Sequence, residues 1–317
     1  MKILITGITG LLGSYLAREF VGKAEIYGFK RKGASERLLA GIEDQIQWHE
    51  GDLFDFEALE SAVSGKDLVI HAAGMVSFDP RDEQKLYQVN TVGTTNLVNA
   101  MLSAGTSRLV YVSSVAAIGR SPELSVIDEN HKWGESPFNT GYATSKYFAE
   151  VEAWRGEQEG LQLIVVNPSV LLGKIRDDRS STAIYSYVLD ENRYFPAGDV
   201  NYLDVRDAAK MIRLLVEKNA WGERFILNRE SIPYEIFFKK MADVFEKKPP
   251  FKLANGFLLK LTVFFIGFLR ALNLTKNPLN RQTAMLSQQK LLYQNTKVNS
   301  LLNFEFTNLE ETFKWAK

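Results

Sequence analysis

The chain of 317 residues has no cysteine, which excludes disulfides, thiolate metal sites and a cysteine nucleophile. Its three histidines, His49, His71 and His131, show no ligand spacing, so each is expected to be structural and no metal site is expected. Charge of one sign is lacking too. Thirty-eight basic and 38 acidic residues balance, which argues against a broad electrostatic footprint for nucleic acid. Long apolar runs are absent as well. In the most apolar stretch, Phe257–Leu272, the longest uncharged run is Leu261–Leu269, about half of the roughly 20 residues that a membrane-spanning helix needs. The chain opens in a strand-like run with no basic segment leading into an apolar one, so a cytoplasmic protein is expected. What is present, 45% apolar and 24% charged residues, suits a globular chain that can bury a large core.

Along the first half, strand and helix signals alternate. Strands are expected at Lys2–Thr6, Glu25–Lys30, Gln45–Glu50, Asp67–His71, Arg108–Ser113 and Gln162–Asn167, with helices near Phe56–Val63, Asp82–Ala104 and Tyr142–Glu159. Leu12, Leu16 and Phe20 recur at helical spacing before Gly22, a C-terminal stop. This rhythm predicts an α/β fold: a doubly wound parallel sheet with helices on both faces and ligand at the carboxyl ends of the strands. After Pro168 the rhythm breaks. Arg176–Ser181 reads as loop and the remainder as mainly helical, with too few strands for a sheet of its own. The expected division is a dinucleotide-binding domain over 1–168 and a smaller substrate lobe over 169–317, interleaved so that parts of 200–230 return to the first domain.

Three segments carry chemistry. The first strand runs into Thr6-Gly7-Ile8-Thr9-Gly10-Leu11-Leu12-Gly13 and then into a helix. In that context one glycine permits the tight turn, another a close backbone approach to a pyrophosphate, and the last close helix–sheet packing. The helix N-terminus adds free N–H groups and partial positive charge. The alternative is a strand–helix turn whose glycines are purely steric. The second segment is Tyr111-Val112-Ser113-Ser114 at a strand end, and the third is Tyr142 with Lys146. Residues at i and i+4 share a helix face. A free tyrosine, with a pKa of about 10, is a poor general acid/base near neutrality unless nearby positive charge stabilises its phenolate. Tyr293 with Lys297 repeats the spacing, so position along the chain must decide between the pairs.

With these segments the chain resembles the extended branch of the short-chain dehydrogenase/reductase superfamily, the NAD-dependent epimerase/dehydratase family. Its pattern is similar to dihydroflavonol-reductase-like and steroid-dehydrogenase-like members. The matching motifs cover about the first 210 residues: the Thr6–Gly13 turn, Gly51-Asp52-Leu53, Val69 to Gly74, Val89-Asn90-Thr91-Val92-Gly93, Tyr111–Ser114, Tyr142 to Lys146, Asn167-Pro168-Ser169-Val170, and Tyr202 to Asp207. The resemblance implies catalysis by Ser114, Tyr142 and Lys146, with Ser113 the alternative serine. It implies cofactor contacts from Thr6, Gly7, Thr9, Gly10, Leu11, Leu12 and Gly13, from Asp52 and Leu53 at the adenine, and from Ala72, Ala73 and Gly74 at the pyrophosphate and ribose. Asn90, Ser113, Tyr142, Lys146, Asn167, Pro168, Ser169 and Val170 complete that set.

The second strand ends Phe29-Lys30-Arg31-Lys32, with no carboxylate for a ribose 2′-hydroxyl. An arginine there can grip a 2′-phosphate, and in the dihydroflavonol-reductase-like group it falls at the equivalent of Arg31. NADP(H) is therefore favoured and NAD(H) is possible; the alternative is a solvated basic turn. The expected activity is NADP(H)-dependent reduction of a ketone or aldehyde, or oxidation of the alcohol, on a small apolar substrate. The competing activity is epimerisation or dehydration of a nucleotide sugar with tightly bound NAD. Against it, Asn167 and Val200 stand where many such enzymes carry arginine. A non-catalytic dinucleotide sensor or assembly protein is the third reading. A homodimer through the Asp82–Ala104 and Tyr142–Glu159 helices is implied by resemblance, although the same helices can simply cover the sheet. Phe257–Leu272 reads as a buried helix, an apolar wall over the substrate, or, least favoured, a peripheral membrane contact.

Overall fold

The computed structural model describes residues 1–175, 182–254, 262–263, 266 and 280–317. Seven strands form its central sheet: β1 (Lys2–Thr6), β2 (Glu25–Lys30), β3 (Ile46–Glu50), β4 (Leu68–His71), β5 (Arg108–Val112), β6 (Gln162–Pro168) and β7 (Glu223–Leu227). Every neighbouring pair is parallel, in the order β7-β6-β5-β4-β1-β2-β3. The strands are nearly continuous apolar runs because both faces are covered. On one face Ile3, Ile5, Ile70, Val110 and Ile164 pack under α1 (Leu11–Phe20) and α5 (Val205–Glu217). On the other, Leu4, Val69, Leu109 and Val165 pack under α2 (Phe56–Val63), α3 (Gly93–Ala104) and α4 (Gly141–Gln158). Strand order reverses between β1 and β4, so the carboxyl ends of these two strands flank the crevice where such sheets bind ligands.

The six expected strands are present, each end within one residue of its reading. The long helix read over Asp82–Ala104 is composite. A short helix, Glu83–Leu86, passes into a π-helical turn at Tyr87–Val92 and then into α3, which stops at left-handed Gly105. Within that turn Asn90 is buried and brackets the backbone of Met75, accepting from its N–H at 2.7 Å and donating to its carbonyl at 3.0 Å. The bulge supplies the extra residue that aims this side chain inward.

The reading of the second half as lacking a sheet is corrected. Glu230–Pro233, Asp199–Asp204 and Val170–Leu172 form a small mixed sheet. It packs with α6 (Tyr234–Phe245) and α7 (Leu309–Ala316) around Tyr202, Phe237 and Phe313. Strands of three to six residues are too short to show a clear period of two. The expected loop Arg176–Ser181 lies outside the described residues. So does the apolar segment 257–272, apart from Thr262, Val263 and Ile266. Among the described residues no helix is long and apolar enough to cross a membrane, and no acidic or histidine cluster could hold a metal.

Candidate active site

The glycine turn sits at the carboxyl end of β1. Gly7 has φ +68°, and a Cβ there would lie 2.5 Å from the backbone nitrogen of Ala73, so the turn is pressed against the chain leaving β4. A Cβ on Gly13 would lie 2.2 Å from the Gly7 carbonyl oxygen. Gly10 caps α1 without a side-chain hydrogen bond, which leaves first-turn N–H groups for an anion. Gly13→Ala is expected to cost about 1–3 kcal/mol of stability through overpacking and to weaken dinucleotide binding. Gly134, which has nothing within 4 Å, is the control: its alanine variant should lie within about 0.5 kcal/mol of the parent in urea unfolding.

Beneath the turn lies a polar chain closed to solvent. Thr94 Oγ1 donates to the Asn90 carbonyl at 2.6 Å, so its 3.1 Å contact with His71 Nε2 must be accepted from the ring. That fixes the proton on Nε2 and leaves Nδ1 to accept from Thr6 Oγ1 at 2.6 Å. Thr6 Oγ1 in turn faces the Ala73 N–H at 3.4 Å. The ring is fully buried and its pKa is lowered to about 3, first by desolvation and then by Lys146. His71 is therefore a neutral structural histidine that joins the glycine turn to the helical turn carrying Asn90.

The second group of residues meets on α4. Thr140 accepts from the Ala143 N–H at 3.1 Å and starts the helix, placing Tyr142 in the first turn and Lys146 one turn later. Tyr142 is half-buried and packs edge-on against Phe78, with ring centroids 5.8 Å apart. Burial raises its pKa, and a hydrogen bond with Ser114 opposes the rise. Lys146 is buried and donates at 2.8 Å both to Tyr111 Oη and to the Val112 carbonyl. Desolvation lowers its pKa to about 7 against the pull of Glu150. The phenol was expected to be lowered by the neighbouring ammonium. In the protein alone burial prevails, because Nζ is engaged by β5 instead. Ser113, the alternative serine, is buried, and its Oγ has no partner among the described residues.

The remaining expected positions border the same edge or its outskirts. Asn90 Nδ2 donates to Ser145 Oγ at 2.9 Å, linking the Met75 loop to α4. Asn167 Nδ2 donates to the Ser114 carbonyl at 2.9 Å and to Glu150 at 2.8 Å. Pro168 pairs with Leu227, Ser169 N–H donates to the Leu227 carbonyl at 3.0 Å, and exposed Val170 begins the small sheet. Ala72 N–H donates to the Thr6 carbonyl at 3.1 Å, and Gly74 lies where a Cβ would be 3.3 Å from Asn90 Oδ1. Asp52 accepts from the Phe54 N–H at 3.2 Å; Leu53 is held on α3 by Asn96, which donates to its carbonyl at 2.9 Å. Arg31 is exposed at the end of β2 and enters no ion pair among the described residues. Its neighbour Lys30 is held by Glu36 and Glu50. Val200 is buried in the core of the small lobe. Tyr293 and Lys297, the decoy pair, serve elsewhere: Arg120 donates to the Tyr293 hydroxyl at 2.8 Å, and Lys297 pairs with Glu223 at 2.6 Å.

Residues beyond the motifs also shape the site. Glu150, one turn after Lys146, is buried and accepts from Arg224 of β7 at 3.0 Å. The spacing Lys146–Glu150 was visible in the sequence, but its partner on β7 was not. The residues fit a dinucleotide. The cradle at Gly7 and Gly13 is closed to any Cβ. At the carboxyl ends of β5 and β6, on the same sheet edge, Ser113 Oγ, Asn167 Oδ1 and Ser169 Oγ are buried without partners among the described residues, polar atoms of a kind that a bound polar ligand would satisfy.

Comparison with known proteins bears on family and fold. The pattern of the NAD dependent epimerase/dehydratase family matches residues 3–227. "Sterol demethylase protein B" of Methylococcus capsulatus is 30% identical over 235 residues, covering 73% of this chain and 70% of that protein. "Cinnamoyl-CoA reductase 1" of Petunia hybrida is 29% identical over 242 residues, 71% of each chain. Among solved structures, that of gox2253 superposes with a TM-score of 0.84 at 26% identity, covering 99% of this chain and 96% of the other.

Proposed function

The chain belongs to the NAD dependent epimerase/dehydratase family, an enzyme of the extended short-chain dehydrogenase/reductase type, and from that premise we propose that it is an NADP(H)-dependent reductase of ketones or aldehydes on a small apolar molecule. The observation that carries this is that Ser114, Tyr142 and a buried Lys146 meet at the carboxyl edge of the sheet, which also bears the glycine turn, Asn167 and Ser169. Reductases among the relatives, cinnamoyl-CoA reductase for one, support the direction.

Bound nicotinamide supplies or takes up a hydride. The protein's residues do the rest. Ser114 Oγ donates a hydrogen bond to the substrate oxygen and holds it beside the Tyr142 phenol. Tyr142 gives that oxygen its proton in reduction and removes it in oxidation. Its place in the first turn of α4 puts a developing phenolate at the positive end of the helix, worth about 0.3–1 kcal/mol. Lys146 would hold the nicotinamide ribose and, when protonated, add positive charge. Phe78 packs edge-on against the ring of Tyr142 and helps to fix its position.

Cofactor choice rests on Arg31. A guanidinium engaged by no carboxylate among the described residues, at the end of β2, is placed to form a bidentate contact with a 2′-phosphate. In a titration of cofactor-stripped protein, NADPH is expected to bind about tenfold more tightly than NADH, about 1.4 kcal/mol, and Arg31→Ser should abolish the difference. NADH binding equal or tighter would remove the contact. Turnover tests the reaction itself: a reductase consumes NADPH one for one with alcohol formed. Conversion of a nucleotide sugar with no net cofactor change would replace this reading with the epimerase one.

A homodimer and a cytoplasmic location complete the proposal. Tyr87 and Phe148 are 46% and 44% exposed and touch edge-on at 6.4 Å, an apolar face shared by the Tyr87–Val92 turn and α4. A solution mass near that of one chain, 35.9 kDa, would rule the dimer out.

A further inference from the structure

We propose that Glu150 is a positioning residue for the reaction: its carboxylate, fixed from behind by Arg224 and Asn167, favours the protonated form of the neighbouring buried Lys146. The inference rests on the reductase reading for its kinetic consequence but not for its electrostatics.

Lys146 is packed among neutral groups. From β4 comes His71, whose ring is neutral; from β5 comes the Tyr111 phenol, whose ionisation burial strongly disfavours. From its own helix come Tyr142, also raised by burial, and Glu150. Arg224 reaches in from β7, behind Glu150. Glu150 is thus the single negative group that faces the lysine among the described residues. An ammonium with no carboxylate in such a setting loses its proton readily. At 5% exposure Lys146 gets little help from solvent.

Glu150 is itself 3% exposed, and a buried carboxylate is costly unless its oxygens are satisfied. One accepts from Arg224 Nη1 at 3.0 Å and the other from Asn167 Nδ2 at 2.8 Å. Arg224 also donates to the Glu129 carbonyl, while Glu129 accepts from the Ile226 N–H at 2.9 Å, which locks the arginine to its strand. The Arg224 side chain is 23% exposed and the Glu150 side chain 3%, so solvent screens the arginine's field more than the carboxylate's. Glu150 accordingly remains the charged group that favours the Lys146 ammonium. Asn167 also donates to the Ser114 carbonyl, so one amide holds both Glu150 and the strand end bearing the proposed catalytic serine.

A purely structural strut between α4 and β7 would use the same contacts, and the two roles separate in titration. Glu150→Gln keeps a hydrogen-bonding end and removes the charge. The Lys146 pKa, read by carbon NMR of lysine-labelled protein with the resonance assigned by Lys146→Met, is expected to fall by about one unit or more. The alkaline limb of kcat/KM for NADPH-dependent reduction should move down by the same amount. Glu150→Asp, which restores the charge at a shorter reach, should recover most of both shifts. If Glu150→Gln is too unstable to study, the double variant with Arg224→Met removes both members of the ion pair and should still show the lowered lysine. An unshifted Lys146 resonance in folded Glu150→Gln or in the double variant overturns the proposal. An NMR shift in a protein that reduces no carbonyl leaves the electrostatic role standing and refutes the reductase reading.

Discussion

Tyr142→Phe is expected to lower turnover by about two to four orders of magnitude, the usual contribution of a positioned general acid/base, while cofactor affinity changes little. The substitution removes one oxygen and one proton. The ring remains, and with it the edge-on contact to Phe78. Ser114 loses the phenol but still accepts from the Ala116 N–H at 3.2 Å, and α4 keeps its Thr140 cap. The glycine cradle and the Lys146 contacts to Tyr111 and Val112 lie elsewhere in the site. Loss of rate with an unchanged NADPH titration would isolate proton transfer as the missing step. Full turnover in the variant would remove Tyr142 from its role. Ser114→Ala offers a graded comparison. It takes away the group proposed to hold the substrate oxygen, together with the hydrogen bond that opposes the burial-driven rise of the Tyr142 pKa, and leaves the phenol proton in place.

How much of this could be read beforehand depends on the range of the interactions. The six strands and the glycine turn announce themselves through local signals: apolar runs bounded by turn residues, and glycines at spacings that steric contact requires. The Tyr142–Lys146 pair is equally local, since both lie on one helix, but its direction is not. Lys146 turns to Tyr111, and nothing in a Tyr-x-x-x-Lys spacing specifies which hydroxyl the ammonium meets. Asn90 shows the same limit. Its helix was legible; the π-helical turn that aims it at Met75 was not, because the bulge is chosen by tertiary hydrogen bonds. β7, the small sheet and the Arg224 contact come from segments far along the chain, where short strands carry weak periodicity and pairing is decided by what the rest of the fold leaves open. His71 was read as structural. The completeness of its hydrogen bonding, from Thr6 on one side to Thr94 on the other, required the fold.

That completeness makes His71 a source of acid lability. In the native protein its pKa is lowered to about 3; in the unfolded chain it returns to about 6.5. Above pH 6.5 both states hold the ring neutral and it contributes no pH dependence. Between about 6.5 and 3 the unfolded chain binds a proton that the folded protein refuses, so ν for the unfolded state exceeds ν for the native state and stability falls as pH falls. The slope approaches about 1.4 kcal/mol per pH unit, and over the whole window the loss is on the order of 4 kcal/mol, a large share of the roughly 5–15 kcal/mol that folded proteins possess. Protonating the ring in place offers no escape. Nδ1 would then have to donate towards Thr6 Oγ1, already faced by the Ala73 N–H, and the charge would sit buried near the Lys146 ammonium. His71→Gln keeps an amide donor and acceptor near the same positions and does not titrate. Urea midpoints from pH 8 to 4 should fall more steeply for the parent than for the variant, by up to about one proton equivalent, with the curves parallel above pH 7. Carboxylates elsewhere add the same slope to both proteins and cancel in the difference. Parallel curves down to pH 4 would mean that the ring is able to accept its proton within the fold, with Nε2 still donating to Thr94 and the Thr6–Nδ1 hydrogen bond reversed so that Nδ1 donates.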